Sequence, residues 1–554
     1  MGTKEKKNSA FLMQGALLAA AGMITRLIGM VYRIPLANIL GDDGQGYYNY
    51  AFQIYNLALL LTSYSLPLAV SKLVSARVAK GEQRNAYRIL KGALIFAVLV
   101  GTAVALIIYF GADFIASELF VADLSAYALK VLAPCLLIVA VMGVMRGYFQ
   151  GLGTMIPTAV SQVLEQIVNA IVSIVAASYL IQMGKEVAKA KNNDLIAPAY
   201  GAAGGTLGTL TGAFFALLFL FFIFAAYKKV LKRQVRRDKT RHKESYSQIF
   251  MILLMTIAPV ILSTAIYNIS ESLDSMMFSK IMAIQGHTKK EYISLWGMFG
   301  KYNTLVNIPL AMANALGASI IPSLTAAVAS GKKAQIHAKI NMAIRFDMLI
   351  AIPSCVGFIV LAKPIISLLY PSGNIEITSR MLQLGAITVV FYCLSTITNA
   401  ILQGLNKMTV PVKNAAVSLV IHLLSLFVML VVCKWGIYAV ITGNIIFSLS
   451  MCILNARAVK HAVGYSQEVK KTFLIPALSA VIMGIIALMI YLLIDLLAGV
   501  RIAAVIAIIG AVAAYGISLL KLGGLSVDEI LTLPKGTSIL SLLRKLRLIK
   551  EEND

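Results

Sequence analysis

Long apolar runs recur along the whole chain, and they constrain its fold more than any other feature. Each run is about 20 residues long, the length that an α-helix needs to cross a hydrocarbon layer about 30 Å thick. The runs extend from Phe11 to Leu520, and no stretch is left over for a sizeable soluble domain. Because backbone polar groups inside lipid must bond within the chain, the runs predict an all-α membrane protein.

The composition agrees with this prediction. Hydrophobic residues make up 59% of the chain and charged residues 13%, whereas soluble proteins have about 25% charged residues. The five cysteines lie in or beside apolar runs without metal-ligand spacing, so we interpret them as packing residues and predict no metal site. Three lysines precede the first run as in a signal peptide, but the run continues past Arg26, which favours a retained first span.

We predict fourteen membrane spans. The first six cover residues 11–35, 47–75, 92–110, 126–149, 158–182 and 200–227. The other eight cover residues 248–272, 295–326, 341–362, 379–402, 412–433, 436–456, 473–494 and 501–520.

Basic residues set the predicted orientation. Most of the 49 Lys and Arg residues fall in alternate inter-span segments, which the positive-inside rule assigns to the cytoplasm. Both termini are therefore predicted to be cytoplasmic. The loop after the third span contains Asp113, Glu118 and Asp123 without Lys or Arg, so it is predicted to be external.

Internal repetition predicts two parallel lobes. The run Gln150–Pro157 returns as Gln403–Pro411, and Leu66–Ala69 returns as Ile308–Ala311. Each pair lies on the same predicted membrane side, which indicates a repeat about an axis along the membrane normal. We predict an N-terminal lobe (1–227), a basic cytoplasmic linker (228–247), a C-terminal lobe (248–456), two extra helices (457–520) and an amphipathic cytoplasmic tail (521–554).

The net charge of +25 raises the question of nucleic acid. The basic residues lie in short loops between spans instead of on one soluble face, so we predict no nucleic-acid partner. The densest run has nine basic residues between Lys228 and Lys243. We interpret it as a solvated cytoplasmic loop, with contact to anionic lipid headgroups as an alternative.

Catalytic signatures are missing from the sequence. It contains no HExxH, GxSxG or P-loop motif, and its predicted external loops are short. Two lobes that rock about a midplane cavity are a transporter design. We therefore predict a transporter and not an enzyme, with no cofactor and no direct use of ATP. Membrane potential, Na⁺ or H⁺ is left as the driving force.

The run Arg146–Leu152 (RGYFQGL), with Met155, Pro157, Gln162, Glu165 and Gln166 after it, resembles one family. It is similar to the multidrug/oligosaccharidyl-lipid/polysaccharide exporter superfamily, in the branch of lipid II flippases and the stage V sporulation protein B group. The resemblance covers about residues 10 to 520. It implies two lobes in a V shape, alternating access, and an undecaprenyl-diphosphate-linked cargo in the bacterial cytoplasmic membrane, with a monomeric protein.

The first span contains two arginines, Arg26 and Arg33, on one helix face. Guanidinium stays ionised and offers a planar fork to phosphate oxygens, so both are predicted to bind the substrate diphosphate. The alternative is a buried carboxylate partner for Arg26 and an interfacial position for Arg33. In the resembling flippases paired arginines of the first helix also face the cavity. Their acidic residue before the second helix would fall near Gly46 here, and Lys301 would replace an arginine of their eighth span.

Other charges lie inside predicted spans and require a reason, because a charge at the bilayer centre costs about 2.5–3.5 kcal/mol. Glu271 and Asp274 share a helix face and are candidates for binding a coupling cation, or they mark a wet helix end. Glu165 is a candidate substrate or gating residue, or a structural partner of Arg146. Arg345 and Asp347 are predicted to anchor the inner end of span nine.

These residues favour a flippase for an undecaprenyl-diphosphate-linked cell-wall precursor, either lipid II or a polysaccharide repeat unit. One alternative is a cation-coupled multidrug exporter of the same superfamily, which would require an acidic cavity. The other is a membrane-embedded glycan polymerase, which would require a substantial outer loop. Lipid-linked oligosaccharide and membrane lipids are the predicted partners.

The charge asymmetry generates a topology prediction. A reporter fused after Val230 should be cytoplasmic, and one fused after Ala122 should be external, because the basic segments hold their ends inside. Alkaline phosphatase and green fluorescent protein fusions at both sites measure this. The reverse pattern at either site would contradict the fourteen-span topology.

Overall fold

The computed structural model describes residues 3–62, 66–238, 240, 244–525 and 537, and among these no strand occurs. Side chains of residues 3–13, 15, 16, 19, 61 and 258–268 are not described. Fifteen α-helices follow one another: α1 (Thr3–Thr62), α2 (Leu66–Ala79), α3 (Gln83–Phe114), α4 (Ser125–Gly151), α5 (Ile156–Lys191), α6 (Ile196–Arg237), α7 (Tyr246–Ile284), α8 (Lys289–Ala329), α9 (Lys333–Val360), α10 (Ala362–Leu369), α11 (Ile375–Gly404), α12 (Thr409–Val431), α13 (Ile437–Val463), α14 (Ile475–Ala498) and α15 (Val500–Lys521). Single π-helical turns follow α3 and precede α14.

The all-α membrane architecture predicted from the sequence is confirmed. Twelve segments of the described chain are long and apolar enough to cross a membrane. One of them, Ala20–Leu60, overlaps both the first and the second predicted span, and in the described part of α7 the apolar stretch is the shorter Tyr246–Ile257. The number fourteen therefore stays a prediction. The structure is compatible with it if α1 is divided into two spans and α7 is counted as one.

The break inside α1 lies at Gly41. Its φ of 66° and ψ of −169° interrupt the helical geometry and leave two helical segments in one continuous element. Only glycine adopts this backbone conformation without steric cost, because it has no Cβ. The two helical segments of α1 are thus joined by a single non-helical residue.

Packing divides the chain into two compact units, Met1–Gly300 and Lys301–Asp554. The first contains α1 to α7 and the first turns of α8, and the second contains the remaining helices. The predicted lobe boundaries and the linker at 228–247 stay a prediction. The predicted amphipathic tail at 521–554 lies outside the described residues except for 521–525 and 537.

The first unit is held together by a helix pair with closely approaching backbones, α5 and α6. Glycines recur on one face of α6 at Gly204, Gly208 and Gly212, and all three are buried. A Cβ on Gly204 would lie 2.5 Å from the Ala176 carbonyl oxygen, and one on Gly212 would lie 2.5 Å from that of Glu165. Small residues allow such approach, which supplies van der Waals contact where lipid removes the hydrophobic drive between helices.

The basic segment after α6 is attached to the ends of α2 and α3. The Asp238 carboxylate accepts from the backbone N–H of Arg84 at 2.6 Å, so it satisfies an N-terminal donor of α3. Glu244 pairs with Arg77 at 2.6 Å. Although partial burial raises the pKa of Asp238, hydrogen bonds from Thr240 and Arg84 lower it below the usual value. The attachment is therefore present at neutral pH and lost as the pH falls below the ordinary carboxylate range.

The second unit buries two charged residues of α9, and their predicted role in anchoring the inner end of span nine stays a prediction. Arg345 is 9% exposed and Asp347 is 1% exposed. Arg345 donates from Nη2 to the carbonyl oxygen of Gly524 at 2.6 Å, just after α15. A cation is favourable there because helix C-termini carry unsatisfied carbonyls.

The glycine face of α6 generates a stability prediction. Gly208→Ala should lower the free energy of unfolding by about 1–3 kcal/mol, because the new methyl group meets Ser173 and the backbone of α5. Thermal unfolding of the detergent-solubilised protein measures this. The matched control is Gly516→Ala in α15, where a Cβ meets nothing within 4 Å. Equal unfolding temperatures for the two variants would show that the close packing of α6 against α5 at Gly208 does not contribute to stability.

Candidate functional site

The two arginines of the first helix have exposed side chains. Arg26 and Arg33 are both exposed, and they lie seven residues apart on the same face of α1. The neighbouring Tyr32 is buried, and its hydroxyl accepts from Asn169 Nδ2 of α5 at 3.2 Å. Successive helical residues are turned by about 100°. The contact of Tyr32 with α5 therefore fixes the direction in which Arg33 leaves the helix.

No carboxylate pairs with Arg26 among the side chains that the structure describes. The alternative of a buried acidic partner for Arg26 thus finds no support there. Arg33 differs, because it interacts electrostatically with Glu271 of α7.

The acidic pair of α7 lies well inside the helix and not at its end. The sequence places the end of span seven near residue 272, but α7 continues to Ile284. Its start is fixed by a capping box in which Ser245 Oγ accepts from Gln248 N–H at 3.2 Å. Glu271 is exposed, whereas Asp274, three residues on, is 2% exposed.

Four side chains form what we name the polar cluster: Arg33, Gln53, Glu271 and Asp274. Glu271 is hydrogen-bonded to the Gln53 side chain and interacts with the charges of Asp274 and Arg33. Gln53 belongs to the segment of α1 after Gly41, so both segments of α1 contribute. One cation among two carboxylates allows the cluster to bind a further cation or to exchange Arg33 for another positive group.

Sequence reasoning missed Gln53 and a set of buried serines that surround the acidic pair on α7. Ser275 Oγ donates to the Ser272 carbonyl at 2.9 Å, and Ser279 Oγ donates to that of Ser275 at 2.8 Å. Such bonds within the helix satisfy hydroxyls that have no water. The sequence does contain a signal for these serines, because four of them recur between residues 270 and 279, beside the two acidic residues.

Glu165 lies in another part of the first unit. Arg146 of α4 donates from Nη2 to its carboxylate at 2.8 Å and from Nε to Ser161 Oγ at 2.9 Å. These bonds hold α4 against α5. The structure therefore contains the structural pairing with Arg146, and a role of Glu165 in substrate binding stays a prediction.

Lys301, at the start of the second unit, is 1% exposed. Its Nζ lies 5.6 Å from the centre of the Tyr370 ring, a cation–π geometry that stabilises a desolvated ammonium. In this structure Lys301 is not open to a substrate, and its predicted role is untested.

The position at which the resembling flippases have an acidic residue is sterically closed here. A Cβ on Gly46 would lie 2.8 Å from Ile293 Cγ2 of α8 and 2.9 Å from the Ile293 carbonyl carbon. A longer side chain would collide with the α8 backbone. The departure from the pattern thus has a packing reason.

Among the described residues no group of three or more His, Cys, Asp or Glu residues is placed to hold a metal ion.

Comparison with known families gives a match over more than half of the chain. Residues 11–328 match the family described as polysaccharide biosynthesis protein. The chain belongs to this family. Residues 259–428 also match the MatE family, so the chain is a member of the multidrug/oligosaccharidyl-lipid/polysaccharide exporter superfamily in its MurJ-like branch, as the RGYFQGL run indicated.

Two relatives of this family member are proteins of Bacillus subtilis. It is 30% identical to "Lipid II flippase MurJ" over 86% of its own length and 88% of that protein. It is 27% identical to "Stage V sporulation protein B" over 83% of its own length and 86% of that protein.

Among solved structures, "Lipid II flippase MurJ, inward closed conformation" is similar with a TM-score of 0.66 and 16% identity, covering 96% of this chain and 100% of that one. An inward-facing multidrug resistance MATE transporter is similar with a TM-score of 0.61 and 14% identity. The match covers 82% of this chain and 100% of that one. These likenesses show the fold.

The polar cluster generates a coupling prediction. In a double-mutant cycle, Arg33→Ala and Glu271→Ala should be coupled by about 0.5–1 kcal/mol in stability, because each removes the other's opposite charge. Thermal unfolding of the four proteins in lipid nanodiscs measures the coupling. The matched cycle of Arg26→Ala with Glu271→Ala should be additive. Equal coupling in both cycles would refute a specific interaction of Arg33 with Glu271.

Proposed function

We propose that this membrane protein is a flippase that moves an undecaprenyl-diphosphate-linked cell-wall precursor across the bacterial cytoplasmic membrane by alternating access. The family and the similarity to a lipid II flippase support a lipid-linked cargo. The protein acts as a transporter and not as an enzyme, with its termini in the cytoplasm. Lipid II is the cargo that we put first.

The observation that carries the proposal is Arg26. It is an exposed arginine in an apolar span, and no carboxylate pairs with it among the described side chains. An arginine retained inside a span despite its insertion cost serves a polar partner. A diphosphate is the matching partner, because its oxygens accept both N–H groups of the guanidinium fork.

The polyprenyl tail of such a cargo requires no protein cavity. It remains in lipid while the headgroup enters the space beside α1. Arg26 binds the diphosphate, and Arg33 exchanges between Glu271 and the headgroup as the cycle proceeds. This exchange lowers the cost of exposing either charge, since each keeps a partner of opposite sign.

The second candidate is a multidrug exporter, and the observation that favours it is the acidic pair Glu271 and Asp274 of α7. A cationic drug would bind to these carboxylates. Arg33 already interacts with Glu271, which makes the cluster less attractive to a cation. We therefore rank the drug exporter second. Drug resistance conferred on a sensitive host without rescue of flippase depletion would reverse this ranking.

Arg26 generates the functional prediction. Arg26→Ala should slow transfer of a fluorescent lipid-linked diphosphate in proteoliposomes by about tenfold to a hundredfold, because a charge-assisted bond contributes about 1.5–3 kcal/mol. Arg26→Lys should keep part of the rate, since an ammonium keeps the charge and loses the fork. Both variants should accumulate normally in the membrane. The matched control is Lys130→Ala, which removes only an exposed ion pair with Asp113.

Rescue of a strain depleted of its lipid II flippase distinguishes lipid II from other headgroups. Wild-type protein and Lys130→Ala should restore growth, and Arg26→Ala should not. A normal transfer rate for Arg26→Ala would remove the basis of the diphosphate site.

A further inference from the structure

Asp347 is a carboxylate that the proposed transport path does not use. It lies near the middle of α9 and is 1% exposed, within the second unit. Its Oδ2 is buried without a hydrogen-bond donor in the described part of the chain. Among the same residues no cation forms an ion pair with Asp347. A carboxylate in such a place is costly when ionised, because burial removes its hydration.

Two buried thiols are among the neighbours of Asp347. Cys393 of α11 and Cys452 of α13 both interact electrostatically with it, and both are buried. Arg345, two residues earlier on α9, leaves the helix in another direction and binds the Gly524 carbonyl. Among the described residues, the charged side chains of the elements packed against α9 form no ion pair with Asp347. Glu376 of α11 pairs with Arg380 and with Lys363 of α10, and Lys470 and Lys471 of the π-helical turn and Asp495 of α14 have no ion pair with Asp347.

The chemistry of these neighbours favours one ion over another at Asp347. Sodium requires several oxygen ligands, as hard cations do, and two thiols do not supply them. A proton requires only the carboxylate oxygen itself, and it removes the charge that burial makes costly. Burial of Asp347 thus favours its protonated form over the aspartate.

A chain of hydrogen-bonded polar side chains lies on α11, α12 and α13, on the same helices as the two thiols and one more. Asn455 lies one helical turn after Cys452, and its Nδ2 donates to Thr398 Oγ1 at 3.1 Å and to Asn399 Oδ1 at 2.8 Å. Asn414 Nδ2 of α12 donates to Asn455 Oδ1 at 2.9 Å. The chain runs toward the ends of these helices that the basic segments assign to the cytoplasm.

We propose that Asp347 is a proton-binding site that loads and unloads during the transport cycle and exchanges with the cytoplasm along the polar chain of α11 to α13. The inference rests on the proposed function, to which it adds the coupling ion. In the unloading step the O–H bond of the carboxyl breaks, and the proton passes to water at the cytoplasmic end. The aspartate left behind carries a charge that must be hydrated, so unloading favours a conformation that opens this part of the unit.

The test compares wild-type protein, Asp347→Asn and the matched control Asp113→Asn in proteoliposomes with an imposed pH difference. Asparagine has the shape of the protonated carboxyl and cannot release a proton. Wild type and Asp113→Asn should change their rate of lipid-linked diphosphate transfer by up to about tenfold per pH unit, since one unit is a factor of 10 in proton activity. Asp347→Asn should lose this response.

A second measurement does not depend on transport. Infrared difference spectroscopy of wild type against Asp347→Asn at neutral pH should show a protonated carboxyl C=O band, shifted by deuterium, in the wild type alone.

The outcomes separate the two proposals. Transfer by wild type without a pH response, or an unchanged response in Asp347→Asn, overturns the proton site and leaves the flippase standing. Wild-type protein that transfers no lipid-linked diphosphate refutes the flippase. The infrared band then decides the proton site by itself, and its absence overturns it.

Discussion

Inside a lipid bilayer no water is available to bond an exposed polar group, and the rest of this structure depends on that constraint. Backbone N–H and C=O groups must pair within the chain, which leaves helices as the solution throughout the described spans. The same constraint removes the hydrophobic drive between helices. Close approach replaces it, and the glycine face of α6 against α5 is the clearest instance.

Charged side chains are subject to the same constraint, and the protein meets it in different ways. Arg146 pairs with Glu165, Arg345 satisfies a carbonyl after α15, and Lys301 lies over the ring of Tyr370. Each of these charges is accounted for by the protein itself. Arg26 and Asp347 are not, in the described residues, and for that reason they are the basis of the two proposals. One is matched by an anionic substrate and the other by a proton.

The family relationship and the local charges answer different questions. Multidrug transporters and a lipid II flippase share this fold at 14–16% identity, so the fold does not choose between their cargoes. The arginines of α1 favour an anionic headgroup, whereas the acidic pair of α7 would favour a cation. Because Glu271 interacts with Arg33, the two signals belong to one cluster, in which the arginine reduces the attraction of the acids for cationic drugs.

The sequence by itself determined the fold class, the approximate spans and the family, because these follow from long apolar runs and from a contiguous motif. It also located Arg26, Arg33, Glu165 and Glu271 inside spans, since each charge is visible against an apolar background. Tertiary structure alone decided what those charges contact. Arg33 and Glu271 are more than 200 residues apart in sequence, and no local periodicity reports their interaction. Likewise, the spacing of Arg345 and Asp347 already indicated that they face different directions. Only the structure shows that Arg345 donates to the Gly524 carbonyl and that Asp347 is buried near two thiols.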